Sequence, residues 1–423
     1  MPKKYQVPVK AAPPRFKPIG KYTTIEFRED CAGSCRKCVK KGCIYNIFKD
    51  NYKHIALMEE PEYLYACQSC FRCVQECTRG IFSRVINPEY RSLGDDYWAA
   101  DIIHRTWYQA HTGKIPVSGA GYRGPFVGEG FDSMWTDMSE IVRPTRDGIH
   151  GREYINTGIE LTRRKSRLSF SKDGSPPSEI PAVFEIPLPV MLRQPEFGVL
   201  SENVLQAAVR AAYFLGTMFF IDPEYYSANL AQFADCLVPC LSKHNYIDFL
   251  ERAPGIRMME LSYDNETCRI ISGLRALKTG LIISAGVPLN SEAASKAVAL
   301  AESGADTIHF YADSRGRETG SENPRFIKDM IREVHLSLVG KHIRNNVNLV
   351  FSGGIAMAEH VAKAIICGAD GVTIDIPLLI ALECRLCYLC RKGQACPVKI
   401  GNINPEWGKQ RIINLVGAWR NQL

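Results

Sequence analysis

The chain has 423 residues, 46% of them hydrophobic, with 52 Lys and Arg against 45 Asp and Glu for a formal charge of +7. That length buries a large core and exceeds one ordinary domain unless most of it is a single large α/β barrel. The charge excess is too mild, and too free of Lys/Arg runs interleaved with aromatics, to point to nucleic acid, and no apolar stretch is long enough to span a membrane.

Residues 1–30 read as an irregular arm, because Pro8, Pro13, Pro14 and Pro18 break any regular element. The arm is basic but lacks an apolar signal core, so a cytoplasmic protein is expected. In a reducing compartment, grouped cysteines read as metal ligands rather than disulfides.

Of the 16 cysteines, two quartets fall in residues 31–90: Cys31, Cys35, Cys38 and Cys43, then Cys67, Cys70, Cys73 and Cys77. The second has the bacterial ferredoxin spacing, with Thr78 in place of the usual proline. Residues 31–90 therefore read as a ferredoxin-like domain with two [4Fe-4S] clusters. In such domains the fourth cysteine of each run serves the other cluster, giving Cys31, Cys35, Cys38 and Cys77 for one and Cys67, Cys70, Cys73 and Cys43 for the other. Structural zinc does not explain a third cysteine inside each short loop.

Residues 91–180 read as a connecting segment with a helix near Tyr97–Thr112 and a polar linker, SKDGSPPSEIP. Within it Gly119, Gly121 and Gly124 match the dinucleotide fingerprint literally. Pro125 and the glycines at 128 and 130 prevent a helix from opening there, so nicotinamide binding is not expected. The arginines at 143, 146 and 152 are read as facing either a barrel mouth or a partner, with no physical basis for choosing between the two.

From residue 181 to 423 short β-rich runs alternate with amphipathic helices, which predicts a parallel α/β architecture: a (β/α)8 TIM barrel, with an open doubly wound sheet as the alternative. Ser201 and Ser291 are read as helix caps, and Asn323 as a cap with Pro324 in the first turn. The run NVNLVFSGGI ends in Ser352, Gly353 and Gly354 ahead of a helix. Glycines let backbone amides approach a phosphate, so this segment is a candidate flavin-phosphate cradle, or else a tight turn without a ligand. Gln194, Ser284 and Arg315 are further candidate flavin or substrate contacts, beside Arg317 and Glu318. A third quartet, Cys384, Cys387, Cys390 and Cys396, follows the last strand and would overhang the catalytic mouth. Three of these cysteines would suffice for a [3Fe-4S] cluster; the fourth makes [4Fe-4S] the expectation. The remaining cysteines read as buried apolar residues, with Cys236 and Cys240 as an alternative redox pair.

The segments PEFGVLSENVLQAA, RGRETG, NLVFSGGI, GADGVTIDIPLLIALEC and CRLCYLCRKGQACP resemble the FMN-binding synthase domain of glutamate synthases, of the short archaeal type with a ferredoxin insert. The resemblance covers nearly the whole chain. It implies an FMN barrel, a cluster at its mouth and reduction of 2-iminoglutarate to glutamate. The family's glycine-rich element is IDPEYYS here, its lysine-bearing loop is MMELSYDNETC, and the phosphate-binding glycine of its last strand is Asp375. Met1-Pro2 supplies no amidotransferase nucleophile, so ammonia would come from another chain. The expectation is an iron–sulfur flavoprotein oxidoreductase passing electrons between three clusters and FMN within a larger redox complex, with ferredoxin or other subunits as partners. Two alternatives stand beside it: a functional ferredoxin-dependent glutamate synthase, and a flavin-free iron–sulfur relay.

Overall fold

The computed structural model describes residues 5–16, 19–26, 43–44, 70–80, 82–115, 117–118, 121–122, 128–134, 157–163, 173–174, 184–277 and 280–423. Cys31, Cys35, Cys38 and Cys67, most of the polar linker, and Arg143, Arg146 and Arg152 lie outside the described residues.

Eight parallel strands close into a barrel: β1 Val190–Arg193, β2 Phe219–Ile221, β3 Leu237–Leu241, β4 Met258–Ser262, β5 Ile282–Pro288, β6 Thr307–Tyr311, β7 Asn348–Ser352 and β8 Gly371–Ile374. Pairing of Val372 with Val190 joins β8 back to β1, so the predicted barrel, not the open sheet, is the architecture. The strands are apolar on both faces because helices cover the outside while side chains fill the bore. Helices α1 Ala100–Thr112, α2 Glu202–Leu215, α3 Tyr246–Arg252, α4 Thr267–Leu277, α5 Ala293–Ser303, α6 Ile327–Gly340, α7 Ala358–Cys367, α8 Ile376–Ala381 and α9 Pro405–Arg420 accompany them. No described helix is long and apolar enough to cross a membrane.

Local signals explain most boundaries. Ser201 caps α2 through Val204 N–H, and Gly216 ends it in left-handed backbone. Two predicted starts move. The residue at the N-cap of α5 is Glu292, not Ser291. Helix α6 begins at Ile327, three residues past Pro324, because Arg317 bridges Phe326 and the Glu318 carboxylate accepts from Arg325 Nε at 3.1 Å, which holds 317–326 as a folded loop.

The arm differs from its prediction in part. Tyr22–Glu26 is a strand paired antiparallel with Phe82–Ile86, and among the described residues of the arm the proline-bearing stretch before it is irregular. That stretch is nonetheless fastened down. Asn414 on α9 accepts from Lys10 N–H and donates to Lys10 C=O, while buried Arg411 donates to Ala12 C=O at 2.8 Å. Backbone groups with no ladder to join are thus satisfied by two polar side chains of the last helix.

Candidate functional site

Side chains on a strand alternate, so one residue in two points into the bore. At its lower end these are apolar: Met191, Phe220, Val238, Met258, Ile282 and Val350 pack together. Toward the C-terminal end of the strands they turn polar around Glu260. Its carboxylate accepts from Ser284 Oγ at 3.0 Å, and Tyr311 OH donates to it. His309 Nδ1 stands 2.9 Å from the same carboxylate and the Cys240 thiol 3.7 Å. Glu260, Ser284 and His309 are all buried. Burial pushes the His309 pKa down despite the adjacent Glu260, which keeps the ring neutral, with its Nδ1–H directed at the carboxylate. His309 Nε2 and Thr373 Oγ1, both buried, have no partner among the described residues. At β5, a side chain in place of Gly286 would collide with Glu260 and with the Tyr311 ring, each 2.9 Å from its Cβ.

Arg193 on β1 brings a cation to this end of the bore. The Arg193 guanidinium lies 4.2 Å over the Tyr311 ring and 3.4 Å from Glu196. Gln194 donates to Asp222 at 3.2 Å and accepts from its N–H, which ties the ends of β1 and β2. Burial raises the Asp222 and Asp375 carboxyls, with Arg193 opposing the shift at both.

Of the sequence candidates, then, Gln194 and Ser284 are engaged with Asp222 and Glu260. Arg315 lies outside the bore, half-exposed, with its guanidinium 3.7 Å from Asp95. Ser352 Oγ faces Phe310 C=O at 3.5 Å. Gly353 (φ 96°) and Gly354 (φ 67°) are left-handed, as the glycine signal implied. Their neighbours, however, are protein. A Cβ on Gly353 would lie 2.4 Å from Asp313 O, and one on Gly354 2.4 Å from Gly316 N, because the loop after β6 packs onto both. The backbone amides at the two nearby helix starts already have acceptors: Ala356 N–H donates to His360 Nδ1 at 3.2 Å, and Ile376 N–H to Asp375 Oδ1 at 2.6 Å. Tyr97 OH and Trp98 Nε1 close over this loop pair by donating to Gly354 O and Ser314 O. Two of the amides that could meet an FMN phosphate here are thus engaged, and Asp375 sets a carboxylate beside them.

The third cysteine segment has a different character. Cys384 is partly buried, and its thiol is pushed up to about 12 by desolvation, with Cys396, Cys387 and Cys390 adding to the shift, so the four sulfurs share one electrostatic neighbourhood. Leu386 N–H donates to Cys384 Sγ at 3.4 Å. Six described non-glycine residues have positive φ; four of these, Glu383 (76°), Leu386 (49°), Tyr388 (54°) and Lys399 (45°), flank these cysteines, and Phe71 (58°) directly follows Cys70. Left-handed turns of this kind aim successive N–H groups inward as an anion-binding nest, a recurrent feature of iron–sulfur sites. Among the described residues no group of three or more His, Cys, Asp or Glu is placed to hold a single metal ion. A four-iron cube holds its thiolates farther apart than one tetrahedral ion does.

The segment is braced from several sides. Arg15 spans its ends, donating to Glu383 at 3.1 Å and to Val398 O at 2.9 Å. Tyr388 OH donates to Asp95 at 2.9 Å, and Arg391 lies 4.5 Å over Phe197. Asp95 also accepts from the N–H groups of Tyr97 and Trp98. Elsewhere, burial first and then Asp235 push Cys236 up to about 12, and burial with Glu260 raises Cys240, so neither is the thiolate that a redox pair requires.

Residues 255–419 match the family described as the conserved region in glutamate synthase. The match runs from just before β4 into α9. Among similar proteins, an archaeal-type glutamate synthase [NADPH] of Dehalococcoides mccartyi is 27% identical over 416 residues, covering 84% of this chain and 81% of the relative. An archaeal glutamate synthase [NADPH] of Archaeoglobus fulgidus is 24% identical over 465 residues, covering 94% of this chain and 89% of that one. Among solved structures, a mutant flavocytochrome b2 with pyruvate bound is similar at 15% identity and TM-score 0.41, over 63% of this chain and 71% of that chain. The sequence reading missed Arg193, Glu260, His309, Tyr311, Asp95 and Tyr388. A signal was present for His309 and Tyr311: polar residues two apart in a run otherwise fit for burial must share the inner face.

Proposed function

We propose that this chain is an electron-transferring iron–sulfur oxidoreductase subunit of the glutamate synthase type, working in a larger redox complex in the cytoplasm with ferredoxin or other subunits as partners. Cys384, Cys387, Cys390 and Cys396 hold a [4Fe-4S] cluster at the barrel mouth. Cys31, Cys35, Cys38, Cys43, Cys67, Cys70, Cys73 and Cys77 hold two more in a ferredoxin-like domain. The observation that carries the reading is the concentration of left-handed, non-glycine backbone around Cys384–Cys396, with an amide already directed at a cysteine sulfur. Asp95 and Tyr388 link that segment to the chain leading from Cys77, which favours passage of electrons between the two cysteine regions. Protein purified without oxygen should contain inorganic sulfide and iron in equal amounts and give a reduced-cluster EPR signal. Zinc in their place overturns the reading.

A second reading is favoured by the matched family and by the relatives' names: a catalytic subunit that makes glutamate from 2-oxoglutarate and ammonia at an FMN site involving Ser352, Gly353, Gly354, Gln194, Ser284 and Arg315. A dicarboxylate substrate calls for cations at the mouth. Arg193 stands there against Asp222, Glu260 and Asp375, which weighs toward the relay. Glutamate formed from 2-oxoglutarate, ammonia and reduced ferredoxin by the purified chain would reverse that order.

A further inference from the structure

We propose that the barrel mouth is shut to anionic ligands by the chain's own side chains, so that this glutamate synthase-type barrel folds and works without FMN. Three independent observations converge. First, two backbone donors beside the expected phosphate position have acceptors within the chain, His360 at Ala356 N–H and Asp375 at Ile376 N–H. Helix α8 has only 6 residues, so its remaining amides and dipole offer little to a phosphate. Second, the charge at the mouth has the wrong sign. Asp222 and Asp375 directly follow β2 and β8, Glu260 projects from within β4, and the Arg193 cation is engaged with the Tyr311 face and Glu196. A phosphate or dicarboxylate placed there meets net repulsion in a weakly screening environment. Third, the space is occupied. The 312–316 loop lies on Gly353 and Gly354, Tyr97 donates to Gly354 O from the far side, and Glu260 with Tyr311 fills the volume over Gly286.

The barrel is then a rigid frame. Arg15 of the N-terminal arm fixes Glu383 and Val398 at the two ends of the cysteine segment, and the bore is filled by the Glu260 network rather than by a cofactor. This inference does not depend on the cluster reading, and one preparation separates them, because iron and sulfide report on the cysteines while flavin reports on the mouth.

The test uses the full chain, purified anaerobically. Acid extraction and fluorescence should find no more than traces of FMN in the wild type, whereas an equimolar amount overturns the proposal. FMN and riboflavin are then titrated into the wild type and Asp375→Gly, following flavin fluorescence. Removing one carboxylate from the phosphate position should tighten FMN by about tenfold, the equivalent of one pKa unit of electrostatics, and leave riboflavin unchanged. Equal FMN affinity in the two proteins overturns the assignment of exclusion to Asp375. Should the variant fail to fold, the flavin content of the wild type still decides.

Discussion

The loop at Gly353–Gly354 and the cysteine segment at 383–399 stand at the same end of the barrel, and both use left-handed backbone, but on different residues. In the first, glycine adopts that conformation at almost no cost, and the packed 312–316 loop accounts for why nothing larger fits. In the second, Glu383, Leu386, Tyr388 and Lys399 adopt it against a steric penalty of about 1–2 kcal/mol each. Penalties of that size persist where the surroundings over-determine the backbone, and they gather at functional sites. The glycine-rich loop, the more familiar motif, is therefore the weaker functional signal here. The stronger one lies in bulky residues holding a glycine's conformation between cysteines.

The largest expected effect tests the cysteine side. Cys384→Ser removes a partly buried ligand and should lower iron by about four atoms per chain, one cluster's complement, while clusters held elsewhere remain. Unchanged iron would mean that this quartet holds none. Next comes the glycine side. Gly354→Ala drives a methyl into Gly316 N, a backbone atom that cannot swing away, at a position already left-handed. A loss of about 2–4 kcal/mol in denaturant unfolding is expected, with or without added flavin. A loss below about 0.5 kcal/mol would show that the loop contact is loose, and would reopen the space to a ligand.

How much of this was legible in sequence depended on how local the cause was. Strand and helix alternation gave the barrel, because each βα unit carries its own pattern of burial and caps. Cysteine spacing marked the quartet at 384–396 for the same reason. The Glu260 network was not legible: Cys240, Glu260, Ser284, His309 and Tyr311 come from four strands, and only closure of the sheet sets them against one another. The braces of the cysteine segment are more remote still, since Arg15 and Glu383 are 368 positions apart, and Tyr388 and Asp95 are 293. Asp375 was recognisable as a charge where a glycine was expected, but that it turns onto Ile376 N–H needed coordinates. The start of α6 was misplaced because a tertiary pairing, Glu318 with Arg325, outweighed a strong local proline signal.

A smaller effect probes the mouth through pH. Burial raises the Asp375 carboxyl, so its charged form is the one that folding disfavours. Its contribution is most favourable below the unfolded value of 3.8 and is lost as pH rises through the higher folded value. Asp375→Asn keeps an oxygen acceptor for Ile376 N–H but cannot ionise. The variant should gain on the wild type as pH climbs from 4 toward neutrality, read as a widening difference in melting temperature. A difference that stays flat with pH would show that the carboxylate is not desolvated, and the argument for repulsion at the mouth would lose its support.

Lys399→Gly should give the smallest change, and its sign is the informative part. Lys399 is exposed and left-handed at φ 45°, three residues beyond Cys396. Replacing it removes about 1–2 kcal/mol of backbone strain. It also adds about 0.5–1 kcal/mol of unfolded-state entropy, so the net expectation is a stabilisation of about 0.5 kcal/mol in denaturant unfolding of the metal-free chain. The same substitution at Leu386 would confound strain with the loss of a buried side chain, which makes the exposed site the cleaner measure. Destabilisation by more than about 1 kcal/mol would mean that Lys399 adopts its turn without strain, and the contrast between the two loops would then rest on Glu383, Leu386 and Tyr388 alone.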